Sequence, residues 1–136
     1  MIEVSFDGST AGNPGVAGGG IYINEGNGNE IRRSIAFGEL SSNHEAEFAA
    51  CVAALQCAHE RGHRIISFRT DSQLVNEALN KRYVKNKQYV PYLDQSLHLI
   101  DQFDLFFCKW VPDRQNKNAD LLARQAIHEQ LAGHGG

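Results

Sequence analysis

The sequence predicts an α/β fold on a five-stranded mixed sheet. Three observations carry that reading. In the first 38 residues apolar side chains recur at every second position, with glycine- and asparagine-rich breaks between the runs. Residues 42–62 then switch to the spacing of a helix buried on one side. From Arg64 onward, short apolar runs alternate with helical segments, the pattern of strand–helix units.

Ile2, Val4 and Phe6 alternate with Glu3, Ser5 and Asp7, so a first strand closes at Asp7. Gly18–Gly20 precede a second run, Ile21–Ile23. The segment NEGNGNE is a hairpin turn of the Asn/Gly type, and IRRSIAF returns as a third, antiparallel strand. Ser42 or Asn43 can cap the helix that follows, with Glu45 and Glu47 near its start. Apolar residues at 48, 51, 52, 55 and 58 form its core face, and Gly62 ends it. RIISFRTDS is a buried fourth strand, and the helix DSQLVNEALN begins at its end. Pro91 suits the first turn of a helix over about 91–103. DLFFCKWV is the fifth strand, with Phe106, Phe107 and Trp110 assigned to the core. The last helix starts near Asn116, runs through ADLLARQAI, and leads to a flexible glycine-rich tail at about 132–136.

The 136 residues are 42% hydrophobic and 21% charged, which fits one domain over 1–136. No apolar stretch is long enough to span a bilayer, and the first residues form a strand pattern rather than a signal segment. A cytoplasmic monomer without membrane contact is expected. Cys51, Cys57 and Cys108 lack CxxC spacing and read as reduced thiols. Thirteen Lys and Arg against 16 Asp and Glu leave a net charge of −3, which argues weakly against a nucleic-acid binder. NKRYVKNKQY is the exception: Lys81, Arg82, Lys85 and Lys87 stand there without an acid, as a solvated turn or a phosphate-contacting patch.

Asp7, Glu47, Asp71 and Asp120 all lie where elements begin or end. Acids favour helix N-termini because of the macrodipole, which is reason enough for any one of them. Asp7 and Asp71 ask for more, because each ends an apolar strand at the sheet edge where α/β ligand sites form. If the two strands are neighbours, their carboxylates converge, and such a cluster is destabilising until protons or cations neutralise it. All-oxygen ligands suit hard cations such as Mg²⁺ or Mn²⁺, and two such ions can support phosphodiester hydrolysis.

DGSTAGNPG at 7–15, N-x-x-A-E-F at 43–48, TDSQLV at 70–75 and NKNADLLAR at 116–124 together resemble type 1 ribonuclease H, in the family's order and over nearly the whole chain. The resemblance implies a ribonuclease H-like fold with helices on both sheet faces. It implies hydrolysis of the RNA strand of RNA/DNA hybrids, leaving 5′-phosphate and 3′-hydroxyl ends. Asp7, Glu47, Asp71 and Asp120 fall on the family's catalytic, metal-binding acids, which hold two ions. Gly8, Ser9, Asn13, Asn43 and Gln73 fall on the side that meets the RNA strand, and Ser42 falls near phosphate contacts on the DNA strand. Small loops and amides of this kind can approach a shallow minor groove and read 2′-hydroxyls.

Three departures from the family pattern stand out. His44 replaces the second asparagine before the glutamate, either as an altered substrate contact or as an exposed helix-cap residue. The loop VPDRQNKN lacks the family's product-release histidine and offers Arg114 instead. The basic handle shrinks to Lys81, Arg82, Lys85 and Lys87, and no hybrid-binding segment precedes Met1, so weak, salt-sensitive affinity is expected. Glu45 reads as solvated, since it does not share a helix face with Glu47. His59, His63, His98, His128 and His134 read as surface residues. Double-stranded RNA stays open as a second substrate, and the alternative function is a nucleic-acid-binding module with weak or lost activity.

Overall fold

Alternating apolar residues in the N-terminal third pair as a three-stranded meander, and the helices pack on what that meander leaves bare. The computed structural model describes residues 1–134. Its strands are β1 (Ile2–Thr10), β2 (Gly15–Gly26), β3 (Asn29–Leu40), β4 (Ile65–Thr70) and β5 (Leu105–Trp110). The helices are α1 (Asn43–Glu60), α2 (Gln73–Lys81), α3 (Val90–Ile100) and α4 (Lys117–His134). The strands form one sheet in the order β3-β2-β1-β4-β5. β1, β2 and β3 are antiparallel neighbours, while β4 is parallel to both β1 and β5. The mixed five-stranded sheet is therefore as expected.

One face of the sheet packs on α1, α2 and α3. Val4, Phe6, Ile21, Ile23, Ile66 and Phe68 meet Phe48, Cys51, Leu55 and Val75 there, all fully buried. Phe6 and Phe68 stack across the β1–β4 pair with ring centroids 4.5 Å apart. The other face receives α4, and the glycines of β2 explain how closely. A Cβ on Gly20 would lie 2.0 Å from the Ala119 carbonyl oxygen, and one on Gly18 would lie 2.5 Å from that of Ala123. Ser34 Oγ donates to Leu122 O at 2.7 Å, and Gln130 Nε2 donates to Ala17 O at 2.8 Å, fastening the helix to β3 and β2.

Several boundaries differ from the sequence reading. Asp7 does not end β1, because Gly8, Ser9 and Thr10 continue the ladder against Gly19, Gly18 and Ala17. The three glycines lie inside β2, where the approach of α4 demands Gly18 and Gly20 and the Phe37 ring fills the space at Gly19. α3 stops at Ile100. α4 continues through residues 132–134, where a flexible tail was expected; residues 135 and 136 of that tail lie outside the described residues, as does the side chain of His134.

The core assignment on β5 also changes. Phe106 packs on the core, but Phe107 is 52% exposed and Trp110 39%, because α4 does not reach β4 and β5. His63 is half-buried and bonds Glu25, which also takes two 2.7 Å bonds from Arg61. All three cysteines are free thiols. Among the described residues, no helix is long and apolar enough to cross a membrane.

Candidate active site

Strand register brings the first two acids together. Ser5 of β1 is paired with Arg69 of β4 in the parallel ladder, so two residues further on Asp7 stands level with Asp71. Neighbouring strands lie only about 4.8 Å apart, which places the two carboxyl groups in one small volume. Asp7 is the more enclosed, at 9% exposure. Burial first, then the charge of Asp71, a hydrogen bond with Asp120 and the charges of Asp120 and Glu47 push its carboxyl up to about 9. Asp7, Asp71, Asp120 and Glu47 thus meet from β1, the end of β4, α4 and α1.

Each supporting element has a local reason for its position. Gly8 lets α1 come down on β1: a Cβ there would lie 2.1 Å from Ala46 O and 2.5 Å from Glu47 N. That approach delivers Glu47 beside Asp7, so the missing side chain at Gly8 is filled by α1 rather than left open to a substrate. Ser42 caps α1, accepting from Glu45 N at 3.2 Å. Glu45 is not free in solvent, because Oε1 accepts from Ser41 N at 2.8 Å and Oε2 accepts from Tyr92 OH at 2.9 Å. Burial raises the Glu47 carboxyl, while the Ser72 hydroxyl and His44 beside it pull the other way. His44 Nδ1 lies 3.5 Å from Glu47 Oε1. It is therefore a neighbour of the acidic cluster as well as an exposed residue of the first turn.

Asp71 follows β4 at the mouth of α2, and its carboxyl is raised by burial and by the charges of Asp113 and Asp120, against a lowering hydrogen bond from Asn116. Trp110 Nε1 donates to Asp71 O at 3.1 Å, so the indole tethers the acid's backbone. Asp120 pairs with Arg124, whose Nε is 3.2 Å from Oδ2. Ser72, Trp110, Asp113 and Asn116 were missed as site residues. For Asn116 a signal existed, since it occupies the cap position four residues ahead of Asp120.

The residues expected to face substrate form an exposed rim. Asn43 Oδ1 accepts from Thr10 N at 2.9 Å and Thr10 Oγ1 at 2.8 Å, and Asn13 Oδ1 accepts from Asn43 N at 3.3 Å. The β1–β2 loop and the start of α1 are thereby one unit, with Asn13 and Asn43 both exposed. Ser9 pairs with Gly18 on the adjoining strand segment. Gln73 opens α2 and is exposed, as is Arg114 on the turn before α4. Of the basic segment, Arg82 is bound to Asp101 at 2.9 Å and Lys81 lies 4.0 Å from Glu77. Among the described residues no acid pairs with Lys85 or Lys87. Lys85 joins His44, Leu74, Val84, Asn86 and Tyr89 around an open cavity of about 570 Å³ next to Glu47.

The donor set fits hard divalent cations. It is all oxygen, and the Asp7 carboxyl, raised first by burial and then by the acids around it, is a charge that a bound cation would stabilise. Among the described residues no three His, Cys, Asp or Glu side chains already stand as ligands of a single ion.

Known proteins share this architecture. The Reverse transcriptase-like family matches residues 5–126. A protein of Enterococcus faecalis named as a hydrolase, EbsB, is 37% identical over 132 residues, covering 95% of this chain and 96% of its own. The crystal structure of RNase H1 from Halobacterium salinarum superposes with a TM-score of 0.87 at 32% identity, covering 94% of this chain and 98% of that one. The chain spans 65% of the full-length Halobacterium ribonuclease HI. LC11-RNase H1, solved in complex with an RNA/DNA hybrid, gives a TM-score of 0.87 at 28% identity over 96% of this chain and 99% of its own. With a family model matching residues 5–126, ribonuclease H relatives at 30% identity or more, and ribonuclease H1 structures superposing over nearly the whole chain, the chain belongs to the ribonuclease H family of phosphodiester hydrolases.

Proposed function

We propose that this protein hydrolyses the RNA strand of RNA/DNA hybrids as a two-metal-ion endonuclease, leaving 5′-phosphate and 3′-hydroxyl ends. The observation that carries the proposal is the meeting of Asp7, Glu47, Asp71 and Asp120, with Asp7 buried among the other three. A fold without catalysis gains stability by losing such a repulsive cluster, so its retention speaks against a pure binding module. The hybrid found with LC11-RNase H1 supports the substrate class.

In this reading Asp7, Glu47, Asp71 and Asp120 would together hold the two cations. Bound Mg²⁺ or Mn²⁺ would supply the activated water and the charge that stabilises the leaving 3′-oxygen. Asn13, Asn43 and Gln73 present amides to the RNA strand, where 2′-hydroxyls distinguish it from DNA. Ser9 on the same strand edge, and His44 beside Glu47, complete that side. Ser42 lies toward the DNA strand, and Lys85 and Lys87 attract its phosphates, with Lys81 and Arg82 weakened by their acidic partners. Arg114 takes the place of the product-release histidine. The protein acts as a cytoplasmic monomer.

The test is an end-labelled hybrid, a DNA duplex and an RNA duplex incubated side by side with Mg²⁺ or Mn²⁺. Cleavage confined to the RNA strand of the hybrid is expected, and Asp71→Asn should lower kcat by about 10²–10³-fold. A hybrid left intact in both metals sinks the enzyme reading. Retardation of the hybrid on a gel without turnover would replace it with the binding module, and cleavage of the RNA duplex would widen the substrate class.

A further inference from the structure

Asn116 immediately precedes α4 and its carbonyl accepts from Asp120 N at 3.1 Å, so it holds the cap position of that helix. Asparagine there ordinarily turns its side-chain oxygen onto the helix's own free N–H groups. This one does not. It is only 2% exposed, its Oδ1 has no hydrogen-bond partner, and its amide points into the protein. Nδ2 donates to Phe6 O at 2.9 Å, the carbonyl of the residue ahead of Asp7. The same side chain stands beside the Asp71 carboxylate and draws its pKa down against the rise from burial. The Phe6 carbonyl is an acceptor, which fixes the amide's orientation. Asn116 also lines a polar cavity of about 110 Å³ with Glu3, Ser5, Tyr22, Arg69 and Asn118. Arg69 Nε is likewise buried without a partner.

We propose that Asn116 is the positioning residue of the acidic site: one side chain and its own carbonyl tie β1 at Asp7, the end of β4 at Asp71 and the first turn of α4 at Asp120 into a fixed arrangement. The three acids come from elements far apart in sequence, and α4 is fastened to the sheet elsewhere mainly at β2 and β3. Asn116 meets all three acid-bearing segments: its side chain bonds the β1 backbone ahead of Asp7 and stands beside Asp71, and its carbonyl accepts from Asp120 N. Giving up its capping bond is the cost of that arrangement. Carboxylates that repel one another spread unless the backbones that carry them are held, and Asn116 holds those of β1 and α4 together.

The inference rests on the acids binding divalent cations, so its test reads cation binding apart from turnover. Mn²⁺ binding is followed by the electron paramagnetic resonance of the free ion for wild type, Asn116→Leu, which keeps the branched shape without its hydrogen-bonding groups, and Asn116→Ala. Circular dichroism and melting check the fold, and kcat and KM on the hybrid are measured separately. Both variants should weaken Mn²⁺ binding and lower kcat by about tenfold or more, with KM for the hybrid held within about twofold. A merely structural role would lower the melting temperature and leave Mn²⁺ affinity and kcat where they were, and that result overturns the proposal. If Asn116→Ala does not fold, Asn116→Leu decides alone. Wild type that binds no Mn²⁺ would refute the metal-dependent function and this inference with it, whereas wild-type binding with unchanged variants refutes only the inference.

Discussion

Asp7 shows at the scale of one side chain why a functional site is a stability burden. Its carboxyl is raised from 3.8 to about 9, first by burial and then by its acidic neighbours. A raised folded value means that this group's favourable contribution is complete below about pH 4 and is lost as pH climbs through about 9. The metal-free protein should therefore melt at progressively lower temperature between pH 5 and 9 on account of Asp7, and divalent cation should restore more stability at pH 9 than at pH 5. Asp7→Asn removes the titrating group; it should raise stability by about 1–2 kcal/mol at pH 8, flatten that slope and abolish cleavage. Calorimetric melting across pH, with and without Mg²⁺, checks the stability and the slope, and incubation with labelled hybrid checks the cleavage. A metal-free melting curve with the same slope in both proteins would contradict the account.

Between elements, close approach is the governing fact. Gly20 admits α4 against β2 and Gly8 admits α1 against β1; in both cases the obstruction to a methyl group is helix backbone, which cannot rotate away. Gly20→Ala should cost about 1–3 kcal/mol, measured by urea denaturation. Gly8→Ala should cost a similar amount and also lower kcat, because the displaced segment carries Glu47. At the far ends of β2 and α1, Glu25 joins Arg61 and His63. Its carboxyl is held down at about 2, chiefly by the Arg61 bond and then by His63. A depressed value contributes stability above about pH 4.5 that is lost as pH falls toward 2. Glu25→Gln should thus lower the melting temperature at pH 7 and soften the acid limb of the pH profile. An unchanged acid limb would show the clasp to be idle.

Taken as a whole, the molecule is mildly acidic at −3 and yet has to meet two phosphate backbones. Long-range attraction is therefore weak, and binding falls to local cations near the site. Of the four basic residues between α2 and α3, Arg82 is occupied by Asp101 and Lys81 lies near Glu77, which leaves Lys85 and Lys87. Replacing both with glutamine should raise KM for the hybrid, leave kcat within about twofold, and reduce the slope of log affinity against log salt by about 2. Arg82→Gln should change that slope less. Titrations from 50 to 200 mM salt make the comparison, and equal slopes for all variants would locate the phosphate contacts elsewhere.

Local chemistry was enough for the sheet composition, the helix starts and the four acids. Alternation at Ile2, Val4 and Phe6, the cap at Ser42 and acids at element ends are all short-range signals, readable within a few residues. Boundaries were harder where a neighbour far along the chain decides them. β1 runs past Asp7 because β2 pairs with it there, and Gly18 and Gly20 make room for α4, about a hundred residues on. Trp110 looked like core because an aromatic strand usually is, but α4 ends its coverage at β1 and leaves β5 half bare. The sequence by itself therefore determined which acids stand at the ends of elements and which segments are strands and helices. Only the tertiary structure decided that Asp7 stands level with Asp71, that Gly8 makes room for Glu47, and that Asn116 turns inward to join them. Register and close approach arise between segments distant in the chain, and no local pattern contains them.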